Sequence, residues 1–142
     1  MALLEVRNIT KNFGKTEVLR GIDFDIEKGE VLSIIGSSGS GKTTLLRCIN
    51  FLETPNTGVM KINNEVIYDA EQSKNYTDSE IRSKRLHFGL VFQSFNLFPQ
   101  YNVIDNVTLA PKLRLAEKKL SATEKKEETD KIIENAYELL KK

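Results

Sequence analysis

Residues Gly36, Ser37, Ser38, Gly39, Ser40, Gly41, Lys42 and Thr43 satisfy every constrained position of the pattern G-x-x-x-x-G-K-[ST]. A loop that wraps phosphate must turn successive backbone N–H groups inward and let the chain approach closely. Both needs favour glycine. Lys42 then reaches the β- and γ-phosphates of a nucleotide as a flexible point charge, and Thr43 offers its hydroxyl to magnesium. Thr44 is placed for the α-phosphate. A helix opening at Lys42 would aim its positive end at the same anion. The bland alternative is an ordinary Gly/Ser-rich turn, so the flanking elements have to decide.

Ahead of the loop, residues 31–35 (Val31, Leu32, Ser33, Ile34, Ile35) are apolar on both faces and partly β-branched, which predicts a strand covered on both sides in a parallel sheet. Behind it, Leu45, Leu46, Ile49 and Leu52 recur at helical spacing until residues 54–58 end the helix. Strand, glycine loop and helix are the context in which the loop binds phosphate. Further upstream, Leu4 and Val6 alternate with Glu5 and Arg7, and Ile22, Phe24 and Ile26 with Asp23 and Asp25. This period of two predicts a pair of antiparallel strands, with turns at residues 11–15 and 27–30.

Downstream, residues 59–62 and 66–68 read as a hairpin turned through Asn63 and Asn64, and residues 69–80 as a polar loop. After the basic stretch 82–85 comes a predicted strand at 88–92, then an irregular aromatic segment at 95–101. Asn102 caps a predicted helix with Ile104, Val107 and Leu109 on its apolar face, and Pro111 is expected to kink or break it. Ser121 and Glu124 form a capping box opening a last helix, whose apolar stripe is Ile132, Ile133, Ala136, Tyr137, Leu139 and Leu140.

The chain has 142 residues, 39% hydrophobic and 29% charged, with a net charge of +1. That is the balance of a globular domain, and it gives no overall attraction for nucleic acid or a membrane surface. The longest apolar stretch falls far short of the roughly 20 residues a bilayer span needs. The N-terminus lacks a secretory pattern, and the single cysteine, Cys48, cannot form an internal disulfide, so a cytoplasmic address is expected. Cys48 and the only histidine, His87, read as structural residues, the histidine on a strand. The charged surface between Lys112 and Lys131 reads as a solvated helix face.

The chain resembles the N-terminal part of an ABC-transporter ATP-binding subunit, of the subfamily that energises import of polar amino acids. The resemblance rests on Phe13 and Gly14 ahead of Val18 and Leu19, on Gly29, Glu30 and Val31, on residues 36–44, and on Val91, Phe92 and Gln93. The subfamily hint is the run 92–99 continuing to Asn106 and Val107. It implies an α/β fold, the P-loop NTPase fold of ABC ATPase type, incomplete in this chain, with an N-terminal antiparallel β subdomain and the start of a helical subdomain. The expected division is 1–93 for the nucleotide-binding core part and 94–142 for the glutamine-switch loop and helices.

Carried over by position, the resemblance makes Phe13 the aromatic platform for adenine, with Val18 beside it. Taken alone, Phe13 is equally a core phenylalanine. Gln93 corresponds to the switch glutamine near magnesium and the attacking water, where the bare residue is a solvated glutamine at a strand end. The cofactors implied are ATP and Mg2+. The partners are a transmembrane permease subunit, met through the region after Gln93 with Phe95, Leu97 and Phe98 as contact residues, and a second ATPase subunit in a head-to-tail dimer. The implied location is peripheral, on the cytoplasmic face of the membrane, and no nucleic-acid partner is implied. Phe95, Leu97 and Phe98 are equally residues packed inside.

Hydrolysis in this family also needs an apolar strand ending in an aspartate and a catalytic glutamate, a Leu-Ser-Gly-Gly-Gln signature and a switch histidine. This sequence contains none of them. The expectation is therefore a truncated, front portion of the domain that binds ATP and Mg2+ weakly with little or no hydrolysis, and whose strand at 31–35 lacks parallel neighbours. Two other readings remain open: a non-catalytic regulatory or decoy nucleotide-binding module, and a P-loop nucleotide kinase. The kinase reading sits poorly with two strands ahead of the loop. The transported amino acid is not legible.

Overall fold

The computed structural model describes residues 2–72, 76–94 and 96–142. They fall into two compact units, Met1–Leu90 and Val91–Lys142. In chain order the described elements are β1 (Ala2–Phe13), β2 (Thr16–Glu27), α1 (Lys42–Ile49), β3 (Thr57–Ile62), β4 (Glu65–Asp69), α2 (Asp78–Arg85), α3 (Val103–Ala116) and α4 (Ala122–Leu140).

The first unit is built on an antiparallel sheet of order β2-β1-β3-β4. β1 and β2 pair along their whole length, Phe13 opposite Thr16, so the turn shrinks from the expected residues 11–15 to Gly14 and Lys15. The alternation in β1 breaks between Val6 and Ile9. Asn8 sits at φ 50° and its N–H donates to Asp23 Oδ1 at 2.9 Å, a bulge that advances the phase so that Val6 and Ile9, three residues apart, are both buried. Gly58 in β3 meets this bulge at close range. A Cβ there would lie 2.6 Å from Ile9 Cδ1 and 2.7 Å from the Arg7 carbonyl oxygen, and φ is +111°. β3 and β4 form the expected hairpin: Asn63 and Asn64 both take positive φ (50° and 67°), the pair of left-handed residues that a two-residue turn requires and that asparagine tolerates.

One sheet face carries the core. Val6, Ile9, Leu19, Met60 and Tyr68 pack with Leu45, Cys48 and Ile49 of α1 and with Phe51. Each such aliphatic side chain contributes about 1.5–3 kcal/mol by leaving water. α1 ends earlier than its apolar spacing suggests, and Leu46 and Leu52 are exposed. Phe51 adopts φ 55°, its N–H donates to the Cys48 carbonyl at 3.1 Å, and the Leu52 N–H donates to the Arg47 carbonyl at 2.9 Å. This is a Schellman closure with phenylalanine at the position usually held by glycine. Burial of its ring, tilted against Tyr68 and Phe88 with centroids 5.6 and 6.0 Å away, offsets the backbone cost.

Several expectations are corrected. Residues 31–35 form no strand: among the described residues no strand pairs with them, and Val31 and Ile35 are 87% and 93% exposed. A strand apolar on both faces is defined by its neighbours and covering layers, and among the described residues β2 and β4 each pair on one side only, with β1 and β3, and neither pairs with residues 31–35. Residues 88–92 likewise form no strand; Phe88 packs on the core while Val91 is 97% exposed. The polar stretch 69–80 turns into α2, which opens on a capping box: the Thr77 hydroxyl accepts from the Glu80 N–H, and the Glu80 carboxylate accepts from the Thr77 N–H at 2.7 Å. Residues 73–75 of that stretch lie outside the described residues. His87 sits in the turn after α2 and is exposed.

In the second unit α3 and α4 pack on each other. Asn102 caps α3 through the Asp105 N–H at 2.8 Å, and the capping box of Ser121 and Glu124 opens α4. α3 runs through Pro111 without a break. Proline cannot donate to the Val107 carbonyl, but Val107 is exposed, so water can replace that bond. The contact buries Thr108, Leu115 and Ala136. Val107, Tyr137, Leu139 and Leu140 stay exposed, so the apolar stripes expected for both helices are only partly used.

Candidate nucleotide-phosphate site

The loop 36–43 runs into the first residues of α1, exposed at 36–40 and half-buried at Gly41 and Lys42, and glycine serves it in three ways. Gly39 holds φ +79° in open space, a backbone requirement alone. Gly41 holds φ +92° and is also crowded by Val18 and Leu19 of β2. At Gly36 the loop closes on itself: a Cβ would lie 2.7 Å from Ser40 Oγ. The Ser40 N–H donates to the Ser37 carbonyl at 3.2 Å, tightening the turn inside the loop.

Lys42 folds back over this loop. Its Nζ donates to the carbonyl oxygens of Gly36 at 2.8 Å and Ser37 at 2.7 Å, with Ser40 Oγ at 3.4 Å. The ammonium is thus centred on the loop by the loop's own carbonyls. Gly41 at the N-cap supplies no side-chain hydrogen bond, and the first turn of α1 holds no acidic residue. The leading N–H groups of the helix are therefore neither capped by a side chain nor faced by a carboxylate, and their partial positive charge adds to that of Lys42.

Thr43 is exposed beside Lys42 and Thr44 is half-buried one residue on. Three or more His, Cys, Asp or Glu side chains gathered for a metal do not occur among the described residues. The Thr43 hydroxyl is a hard oxygen donor, and magnesium keeps several waters and takes phosphate oxygens, so the donor set fits that ion in company with a nucleotide.

Val18 is brought directly against Gly41, while Phe13 ends β1, separated from β2 by Gly14 and Lys15 at the tip of the first hairpin. Phe13 is 48% exposed, which sets it outside the core. The Lys11 ammonium lies 4.9 Å from the ring centroid. Cys48 is fully buried and burial pushes its thiol up to about 11, in keeping with a structural residue.

Gln93 belongs to the second unit, in a bend and exposed. After it, Leu97 and Phe98 are exposed; Phe95 lies outside the described residues. One residue that the sequence did not single out for a role organises this segment. Asn106 accepts from the Phe98 N–H at 2.8 Å and donates through Nδ2 to the carbonyls of Phe98, Tyr101 and Asn102 at 3.2, 3.0 and 3.0 Å. Its position four residues after the Asn102 cap was the available signal.

The ATP-binding protein of an L-cystine transport system in Escherichia coli K12 is 46% identical over 123 residues, 87% of this chain and 49% of its own length. The glutamine transport ATP-binding protein of Bacillus subtilis is 45% identical over 109 residues, 77% of this chain and 42% of its own length. The chain thus spans about half the length of the curated relatives it matches. Among solved structures, a dimeric ATP-binding cassette in a post-hydrolysis state, bound to ADP and Pi, superposes with a TM-score of 0.69 at 31% identity, covering 97% of this chain and 56% of that one. The α/β architecture is therefore that of the ABC ATPase cassettes. The sequence model described as ABC transporter matches residues 19–141, and the chain belongs to the ABC transporter family.

Proposed function

We propose that this chain is the ATP-binding portion of an ATPase subunit that energises amino-acid import. The observation that carries the reading is the Lys42 ammonium centred on the glycine loop at the uncapped head of α1. Residues 36–41 and Lys42 would hold the β- and γ-phosphates, Thr44 the α-phosphate, and Thr43 would take a place in the magnesium shell. Phe13 and Val18 would receive the adenine ring. Gln93 would act as the switch residue toward magnesium and water. Bound magnesium neutralises phosphate charge; the chain's own part is to bind and orient.

Amino-acid import is supported by the names of the relatives, which include cystine, glutamine and arginine transport proteins. Exposed Leu97 and Phe98, the latter held at its backbone by Asn106, suit contact with a transmembrane permease subunit, since aromatic residues are enriched at interfaces. Among the described residues no helix is long and apolar enough to cross a membrane, and the reading places the chain peripherally on the cytoplasmic face. A second ATPase subunit, head to tail, would complete the site. With no signature, catalytic glutamate or switch histidine in its sequence, the chain is expected to bind ATP without turning it over.

Calorimetric titration of the purified chain with ATP and Mg2+ tests this. Saturable binding that Lys42→Ala removes is expected, with no phosphate release. Absence of ATP binding, or binding indifferent to Lys42→Ala, overturns the phosphate site. Turnover abolished by Lys42→Ala overturns the non-hydrolysing reading.

A further inference from the structure

The chain between α1 and β3 returns to the tip of the first hairpin and is fastened there three times. The Asn56 N–H donates to the Thr10 carbonyl at 2.8 Å, the Asn12 N–H donates to Asn56 Oδ1 at 2.7 Å, and Lys11 Nζ donates to the Thr54 carbonyl at 2.8 Å. The same ammonium is 3.4 Å from Glu53 Oε2, and Glu53 Oε1 is in turn 3.4 Å from Arg47 Nη2 in the last turn of α1. The Lys11 side chain is only 13% exposed, unusual for a lysine, and it lies over the ring of Phe13, itself half exposed.

We infer that Lys11 is a positioning residue for the nucleotide base, pinning the Phe13 ring from one face and leaving the other for adenine; this rests on the ATP-binding reading above. Phe13 is the last residue of β1, beside a two-residue turn, and cross-strand pairing alone leaves its ring free to swing. A cation held by a carbonyl and a carboxylate under one ring face removes that freedom. The contacts continue from Phe13 through Lys11 and Glu53 to Arg47 on α1, the helix whose first residues are Lys42 and Thr43. The base platform and the phosphate loop are therefore referenced to one helix, at its two ends. A bound nucleotide spans both, so holding their separation constant reduces the ordering cost of binding.

The test compares ATP with inorganic tripolyphosphate, which lacks the base, in titrations of the full chain with Mg2+. Lys11→Met, which keeps the apolar stem, is expected to weaken ATP about two- to fivefold, to leave tripolyphosphate unchanged, and to be rescued by Lys11→Arg. In a Phe13→Leu background the same change should cost ATP nothing further. Equal weakening of both ligands marks a structural role and overturns the proposal, as does no weakening of either. Should Lys11→Met fail to fold, Glu53→Gln is read by the same criterion. Failure of the wild-type chain to bind tripolyphosphate or ATP counts against the phosphate site itself and is distinct from a failure at Lys11.

Discussion

Gly41 and Val18 are packed so closely that a methyl group on the glycine would stand 3.0 Å from the Val18 carbonyl oxygen and 3.1 Å from its Cγ1. The last glycine of the phosphate loop is thereby seated on β2, and its φ of +92° starts α1. Gly41→Ala meets both obstacles, and we expect it to cost about 1–3 kcal/mol of stability and to abolish ATP binding. Gly89→Ala is the control: a Cβ there meets nothing within 4 Å and no positive φ is involved, so its effect should stay within about 0.5 kcal/mol. Urea denaturation of the two variants checks the contrast.

Asn106 clasps the segment after Gln93 with one acceptor and three donor contacts. Asn106→Ala should lower stability by about 1–2 kcal/mol and speed amide hydrogen exchange at Phe98 and Tyr101. Asn106→Asp should do worse, because it keeps the acceptor for the Phe98 N–H but turns a carboxylate oxygen toward three carbonyls. Exchange rates that do not change at Phe98 would argue against the clasp.

Two helices carry an acid-sensitive start. Hydrogen bonds from Thr77 hold the Glu80 carboxyl below its ordinary range, and those from Ser121 do the same for Glu124. A carboxyl with a depressed folded pKa adds stability that is fully present above its unfolded pKa and is lost as pH falls through the folded one. Helical ellipticity should therefore be flat from neutrality to about pH 5 and decline below the normal glutamate range, about 4.3. Glu80→Gln with Glu124→Gln should flatten that decline.

Burial raises the Cys48 thiol to about 11, so at pH 8 the native chain should react with a thiol reagent far more slowly than the urea-unfolded chain. The sign follows from the acid's neutral form being the one the core accepts: this contribution is intact below the unfolded thiol pKa and disappears as pH climbs toward 11. Prompt labelling of the folded chain would show that α1 opens locally.

What was legible in the sequence is what local residues decide by themselves. The glycine loop lies in one run, its glycines at positive φ or close contact and Lys42 folded over it, and the helix caps at Asn102 and Ser121 need a partner three residues on. α2 was legible in the same way, since Thr77 and Glu80 form a capping box, but the polarity of residues 69–80 obscured it. Residues 31–35 were misread because their pattern describes a strand only where neighbours exist to pair with it, and none does among the described residues. Lys11 could not be recognised, as Glu53 and Thr54 lie more than forty residues away along the chain and meet it only once the sheet and α1 are in place.

The unladdered stretch between β2 and α1 also bears on how the chain withstands proteases. Residues 31–35 offer exposed side chains and backbone that neither sheet nor helix claims, which makes them a natural first point of cleavage. A cut there would separate β1 and β2 from everything after them in sequence. Yet β1 pairs with β3 on the far side of the cut, Leu4 opposite Ile62 and Thr10 opposite Thr57, and the core joins Val6 and Ile9 to Met60 and Ile49. The two pieces would stay together as a nicked molecule, with the glycine loop still anchored through Gly41 to a strand that no longer leads into it.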